Sequence, residues 1–268
     1  MIREVTEMLK DKIKKIKVLK GNLAVFYLGQ AGFVFKTSRD KIVYIDPYLS
    51  DVCERLHGFK RLIPAPISAD DINADMVICT HEHTDHLDID AIPIISKKKN
   101  TKFIGPIECV KEFRKIGIGS NRIFPIKEGK RIKIDGLTIT GIYADHGKLS
   151  KDAVGILLNV DGINLYYTGD TAYRPERIIK SLKVKPDIII PVINGKFGNL
   201  NSVEAAKLSK IAGAKITIGC HFGMFAEHNG KPAEFIKMCK RFSPGLNAMV
   251  MKPSGLRIFR LAYSKTRL

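Results

Sequence analysis

The segment Thr80-His81-Glu82-His83-Thr84-Asp85-His86 constrains this chain more than any other stretch of it. It follows the apolar run DMVIC, which reads with Thr80 as a strand over 75–80. Three of the seven histidines fall within six residues, with an aspartate between the second and third. Residues two apart at a strand end project to the same side, so His81 and His83 can reach one cation together. As the chain turns away from the strand, Asp85 and His86 point toward an adjacent position. One ion then gains two imidazoles, and a second gains an imidazole and a carboxylate. Neither set is complete. A fold carrying this segment must bring further ligands from strand ends that face the same way.

Three other stations offer them. His146 follows the strand GIYAD and precedes Gly147, Asp170 ends the strand NLYYTG, and His221 follows KITIGC and precedes Phe222-Gly223. Each is an apolar run, then a ligand-type side chain, close to glycine. A lone histidine in such a place is usually a hydrogen-bonded turn or core residue; four stations together are not explained that way. Asp46, in IDPYL, fits two readings equally: a hydrogen-bond partner that orients a ligand histidine, or a turn residue before Pro47.

The rest of the chain reads as layered α/β structure. Ile2, Val5, Met8, Leu9, Ile13 and Ile16 predict an amphipathic helix at about 1–20. NLAVFYLG, AGFVFKT and KIVYIDPYL predict consecutive strands, followed by TKFIG, RIFPI, KRIKI, GLTITGIYA, AVGILLNV, INLYYTG, KPDIIIPVI, KITIG and LRIFRLA. Helices are predicted over 107–117, 175–183, 202–213 and 232–242, with Ser202 as an N-cap. Asp161-Gly162 predicts a tight hairpin turn. No linker or fixed-period repeat interrupts the pattern, so residues 1–268 read as a single domain.

Composition adds exclusions. The chain has 268 residues, 45% hydrophobic and 27% charged, as ordinary globular proteins do. Its formal charge of +18 is unusual and invites a nucleic-acid or anionic partner. That charge is spread over residues 1–20 (net +4), 92–133 (+9) and 241–268 (+6), the rest being near neutral. No basic helix carries interleaved aromatics, so a dedicated nucleic-acid module is not favoured. Five scattered cysteines without a C-x-x-C pair fit reduced thiols and a cytoplasmic protein. The N-terminus is not a signal peptide, and nothing approaches a membrane span.

The motifs taken together resemble the metallo-β-lactamase superfamily, on THEHTDH, His146, TGDT and His221. More narrowly the chain is similar to the branch containing L-ascorbate-6-phosphate lactonase and related metal-dependent hydrolases. That likeness rests on LGQAGFVFKT, IDPYLSD, KRLIPAPISADDINADMVICTHEHTDHLD, INGKFGN with EAAKL, and CHFGMF. This chain is shorter than the lactonase proper. The resemblance implies an α/β fold, an αββα sandwich of two mixed β-sheets covered by helices. It implies one metal on His81, His83 and His146, a second on Asp85, His86 and His221, and Asp170 bridging them. Imidazole and carboxylate ligands suit Zn²⁺, Mn²⁺ or Fe, and the lactonase branch is associated with manganese.

The expected enzyme is a dinuclear metal-dependent hydrolase whose metal-bridging hydroxide attacks a small anionic substrate, by resemblance a sugar-phosphate lactone. Asp85 would also orient the nucleophile and accept its proton. Asn194, Lys196 and His228 are candidate substrate contacts, with an exposed loop histidine as the alternative for His228. The other enzyme reading is a phosphodiesterase or nuclease of the same superfamily. A nucleic-acid-binding protein with a non-catalytic metal site is the weaker alternative. Cys79 and Cys220 lie beside ligand positions, where a small buried apolar role competes with metal ligation. The oligomeric state is left open.

Overall fold

Strand β1 (Asn22–Gly29) is buried on both faces. Leu23, Val25 and Tyr27 join one apolar cluster, and Ala24, Phe26 and Leu28 join another. A strand apolar at every position must be covered on both sides. Here a second sheet covers one face and helices cover the other. The computed structural model describes residues 2–228 and 230–260, with side chains described from residue 9 onward. The contributions expected of Ile2, Val5 and Met8, and of Leu261 and Ala262 in the LRIFRLA strand, lie outside that description.

β1 pairs antiparallel with β2 (Gly32–Lys36), which pairs antiparallel with β3 (Ile42–Ile45). The first sheet continues in parallel through β4 (Met76–Ile78), β5 (Lys102–Gly105) and β6 (Ile123–Pro125). The chain then crosses to the second sheet. There β7 (Arg131–Ile134), β8 (Leu137–Tyr143), β9 (Val154–Val160) and β10 (Ile163–Tyr167) form an antiparallel meander. β11 (Ile188–Ile190), β12 (Ile216–Gly219) and β13 (Asn247–Val250) extend it in parallel. Finally β14 (Leu256–Arg260) returns to the first sheet, antiparallel to β1. Two mixed sheets result, with orders β14-β1-β2-β3-β4-β5-β6 and β13-β12-β11-β10-β9-β8-β7.

Helices α1 (Ile2–Lys15), α3 (Ala91–Ser96) and α4 (Ile107–Lys115) cover the outer face of the first sheet. Helices α5 (Pro175–Leu182), α6 (Ser202–Ile211) and α7 (Pro232–Phe242) cover the second. The short α2 (Val52–His57) packs Val52 and Cys53 against Tyr48, Met224 and Phe225. α1 is latched by the buried Lys36, whose Nζ donates to the Ile13 and Lys14 carbonyls at 2.8 and 2.9 Å and pairs with Asp40 at 2.9 Å. Those carbonyls at the helix end have no partner within the helix.

The αββα sandwich follows the expectation; several details differ. The N-cap of α6 is Asn201, with Ser202 already inside the helix. The Asn201 side chain accepts from the Val203 and Glu204 amides at 3.0 Å, and Glu204 accepts from the Asn201 amide, a reciprocal capping box. Helices α2 and α3 and strand β13 carry too little pattern to be foreseen. α3 is a six-residue helix, apolar up to Ser96 and with an internal Pro93, and β13 draws its order from pairing with β12. Asp161 and Gly162 both take left-handed φ, 48° and 86°, as the hairpin turn requires. Among the described residues no helix is long and apolar enough to cross a membrane.

Candidate metal centre

The ends of β1, β3 and β12 meet at one edge of the sandwich, and each turns there through a strained residue. Gln30, Asp46 and His221 sit at φ 51°, 47° and 64°, a region that costs a non-glycine residue about 1–3 kcal/mol. Left-handed Gly169 lets the Asp170 loop pass close to Thr80. A Cβ at Gly169 would stand 3.0 Å from the Val154 carbonyl oxygen and 3.1 Å from the Thr80 Cβ. The His146 loop is tied alongside: the Asp145 amide donates to Thr171 Oγ1 at 2.9 Å, and the Ala172 amide to the Asp145 carbonyl at 2.7 Å.

All seven candidate ligands converge at this edge. Their donor atoms group as His81, His83 and His146, as His81, His86 and Asp170, and as Asp85, His86 and His221, each group within 4.8 Å. His81 Nε2 and His83 Nδ1 stand 3.0 Å apart, and His146 Nε2 lies 3.3 Å from the same His83 nitrogen. On the other side His86 Nε2 and His221 Nε2 are 3.2 Å apart. Asp85 Oδ2 lies 3.6 and 3.3 Å from these two nitrogens, and Asp170 Oδ1 lies 3.3 Å from both. Asp170 Oδ2 faces the first group, 3.8 Å from His146 Nε2. Ligands about 2.1 Å from a tetrahedral metal stand about 3.4 Å from one another. These spacings match that edge length.

Hydrogen bonds around the cluster fix which nitrogens face inward. Asp46 is fully buried. It accepts from the Thr80 amide at 2.8 Å, the Thr80 hydroxyl at 2.7 Å, His86 Nδ1 at 2.7 Å and the Tyr167 hydroxyl at 3.0 Å. The Thr80 hydroxyl, having given its proton to Asp46, accepts from His81 Nδ1 at 3.1 Å. His83 Nε2 donates to the Leu149 carbonyl at 3.2 Å. His81 Nε2 and His83 Nδ1 therefore present lone pairs to each other, an arrangement that calls for a cation between them. Asp170 Oδ1 is buried without a hydrogen-bond partner among the described residues, as are the Nδ1 atoms of His146 and His221. The donor set and its orphaned acceptor fit divalent cations.

The charges agree with that fit. Burial alone would raise the carboxyl pKa values of Asp85 and Asp170, yet the imidazoles of His86 and His221 hold both well below the usual range. Burial would lower His86, but Asp170, Asp85 and Asp46 hold it well above the ordinary histidine value. Burial, reinforced by neighbouring imidazoles, lowers His81 and His146. Burial and then His221 bring His228 down to about 4.

The weaker candidates divide. His228 is buried at 9% exposure and is not the exposed loop residue of the alternative reading; its ring stacks on His221 at 4.9 Å. Asn194 is fully buried, with neither side-chain amide atom partnered among the described residues, whereas Lys196 is exposed. Cys79 lies in the cluster under the outer helices and Cys220 in the main core. Burial pushes both thiols well above the ordinary value, and neither joins a ligand group.

Three residues escaped sequence reasoning. Gln30 Nε2 donates to Asp85 Oδ2 at 2.8 Å and lies 3.1 Å from His228 Nδ1. Asn199 Nδ2 donates to Asp170 Oδ2 at 2.6 Å. Buried Asp88 accepts from the amides of Leu49, Ser50, Asp90 and Ala91, joining the segment after Asp46 to the turn after His86. Their only sequence signal is position within LGQAG, INGKFGN and HLD.

Known proteins share this architecture. A UPF0173 metal-dependent hydrolase of Polynucleobacter asymbioticus is 27% identical over 241 residues, 81% of this chain and 80% of the relative. Igni18, a metallo hydrolase from Ignicoccus hospitalis, superposes with a TM-score of 0.70 at 22% identity, covering 90% of this chain and all of that one. An isothiocyanate hydrolase from Delia radicum gut bacteria gives 0.71 at 20% identity, covering 88% and 98%. At these identities the structures speak for the fold alone. The family model described as the beta-lactamase superfamily domain matches residues 41–222, more than half the chain. The chain belongs to the beta-lactamase superfamily.

Proposed function

We propose that this protein is a metal-dependent hydrolase with a two-cation centre, acting on a small anionic substrate such as a sugar-phosphate lactone. The relatives' description as metal-dependent hydrolases supports the general activity. One observation carries the two-cation reading: Asp170 presents one oxygen to His86 and His221 and the other toward His146. In this reading His81, His83 and His146 hold one ion, Asp85, His86 and His221 hold the second, and Asp170 spans them. A thiolate-free set of imidazoles and carboxylates accommodates Mn²⁺, Zn²⁺ or iron. Bound there, such ions supply Lewis acidity and lower the pKa of water toward neutrality.

The chain's own groups do the rest. Asp85, with Oδ2 held by Gln30, keeps Oδ1 to orient the attacking water and take its proton. Asp46 keeps Nδ1 of His86 protonated directly, and Nδ1 of His81 through Thr80, so both Nε2 atoms stay free as ligands. Asn199 orients Asp170 in the same way. The net charge of +18 favours an anionic substrate and keeps phosphodiester cleavage as the second reading.

The test is His83→Ala, with metal content measured by elemental analysis and hydrolysis of γ-butyrolactone and bis(p-nitrophenyl) phosphate measured with Mn²⁺ or Zn²⁺. The expected result is two ions per wild-type chain, fewer in the variant, and at least about a hundredfold loss of hydrolysis. Unchanged metal content and turnover would overturn the assignment. Which substrate turns over separates the two hydrolytic readings. Steeply salt-dependent nucleic-acid binding with no turnover would favour the non-catalytic alternative instead.

A further inference from the structure

Beside the Asp85, His86 and His221 side of the centre, three loops bring aromatic rings together around His228. Phe59 comes from the loop after α2, Phe197 from the loop between β11 and α6, and Phe225 from the loop after β12. Their ring centroids lie 6.3, 5.7 and 5.0 Å from that of His228, at interplanar angles of 69°, 65° and 88°. Phe59 also meets Phe197 at 6.0 Å and Phe225 at 5.8 Å. Phe225, 1% exposed, packs beneath as core, so Phe59 and Phe197 are the rings that flank the outer edge of the imidazole, whose one face is stacked on His221. The imidazole is oriented as well. The Gln30 amide nitrogen beside His228 Nδ1 makes that atom an acceptor and places the ring proton on Nε2.

Phe197 departs from what packing alone would produce. It is 46% exposed, and its φ of 55° lies in the left-handed region, where a bulky side chain is an outlier. Nearly half of this residue faces solvent, so its contacts with Phe59 and His228 offset that strain only in part. The same short loop carries Asn199, which grips Asp170. The position of the Phe197 ring is therefore tied to the metal centre through two intervening residues. A charged substrate group laid against these rings would lose water without a partner, whereas a flat apolar group would gain ring contacts.

We propose that Phe59 and Phe197, backed by the buried Phe225 and His228, form a subsite for an apolar, preferably aromatic group attached next to the scissile carbonyl or phosphoryl centre of the substrate. The inference rests on the hydrolase reading for its place in catalysis, but its binding arm does not.

The test compares a matched pair of substrates, α-phenyl-γ-butyrolactone and γ-butyrolactone. Metal-loaded wild-type protein should favour the phenyl member by about tenfold in kcat/KM. Phe197→Ala should cut that ratio at least about fivefold, and Phe197→Leu should restore part of it. Leu19→Ala, an exposed apolar residue outside the centre, should leave the ratio as it is. Alongside, calorimetry compares 3-phenylpropionate with propionate on the metal-loaded wild type and Phe197→Ala. Turnover without phenyl preference, or a preference untouched by Phe197→Ala, overturns the subsite. If nothing is hydrolysed but 3-phenylpropionate binds through Phe197, the subsite stands and the hydrolase reading falls. If 3-phenylpropionate binds no better than propionate and nothing turns over, both fall.

Discussion

Replacing Asp46 with asparagine isolates the contribution of one buried carboxylate to both fold and metal affinity. Its Oδ2 takes three donors, from Thr80, His86 and Tyr167, and its Oδ1 takes the Thr80 amide. The asparagine keeps most of these bonds if its oxygen occupies the Oδ2 position. Its NH₂ then faces the Thr80 N–H, so one buried donor loses its partner, a loss of about 1–3 kcal/mol. The bond from His86 loses its ionic assistance as well. Urea unfolding of metal-free Asp46→Asn should therefore show a lower midpoint at unchanged slope. Because a neutral amide oxygen holds His86 and Thr80 less firmly and leaves the ligand imidazoles less basic, competition titrations should show metal affinity down by 10–100-fold, about 1.4–2.7 kcal/mol. If the variant unfolds less stably yet binds metal within about twofold of wild type, Asp46 does not orient the histidines. If neither quantity moves, the hydrogen-bond argument itself is wrong.

Three further outcomes test other parts of the structure. A cation must displace the Nε2 proton that Asp170 and Asp85 favour on His86, while the Nδ1 proton stays on Asp46's side. Metal affinity should therefore rise about tenfold per pH unit from about pH 6.5 up to the raised pKa; a flat profile in competition titrations would count against that protonation. Lys36→Met leaves the Ile13 and Lys14 carbonyls without their ammonium donor. It should destabilise by about 1–3 kcal/mol and speed amide exchange in residues 9–15; unaltered exchange there would mean the lysine does not hold α1. Gly141→Ala would put a Cβ 2.3 Å from the Lys127 carbonyl oxygen, against backbone that has little room to retreat. A loss of about 1–3 kcal/mol is expected, read as a lower thermal midpoint, and an unchanged midpoint would show that the 127–130 turn yields freely.

The sequence made some of this site legible because metal chemistry restricts residue type. His81, His83, Asp85, His86, His146, Asp170 and His221 stand out as imidazoles and carboxylates at strand ends, and those are the side chains the fold gathers. Asp46 stood level between two readings because an Asp-Pro pair looks the same whether its carboxylate turns outward or inward. Gln30 and Asn199 left no mark, since an amide carries no charge and no diagnostic spacing. The burial of His228 is not legible in its own segment because it depends on Phe59 and Phe197, which arrive from loops far apart in sequence. The layered architecture was readable from doubly apolar strands such as β1. The pairing of β14 with β1 was not, because no local pattern reports a partner on the far side of a second sheet.

That pairing also bears on how the molecule is made. A ribosome delivers β1 long before β14, leaving an apolar strand edge with no neighbour on that side. Its cover emerges only after the whole second sheet, when residues 256–260 leave the exit tunnel. Throughout that interval the open edge can recruit other nascent strands. His221 also emerges late, so the centre cannot assemble its full ligand set while the first sheet is being built. A cation held by all seven candidate ligands would therefore be bound only after β12 has emerged, too late to guard the young sheet.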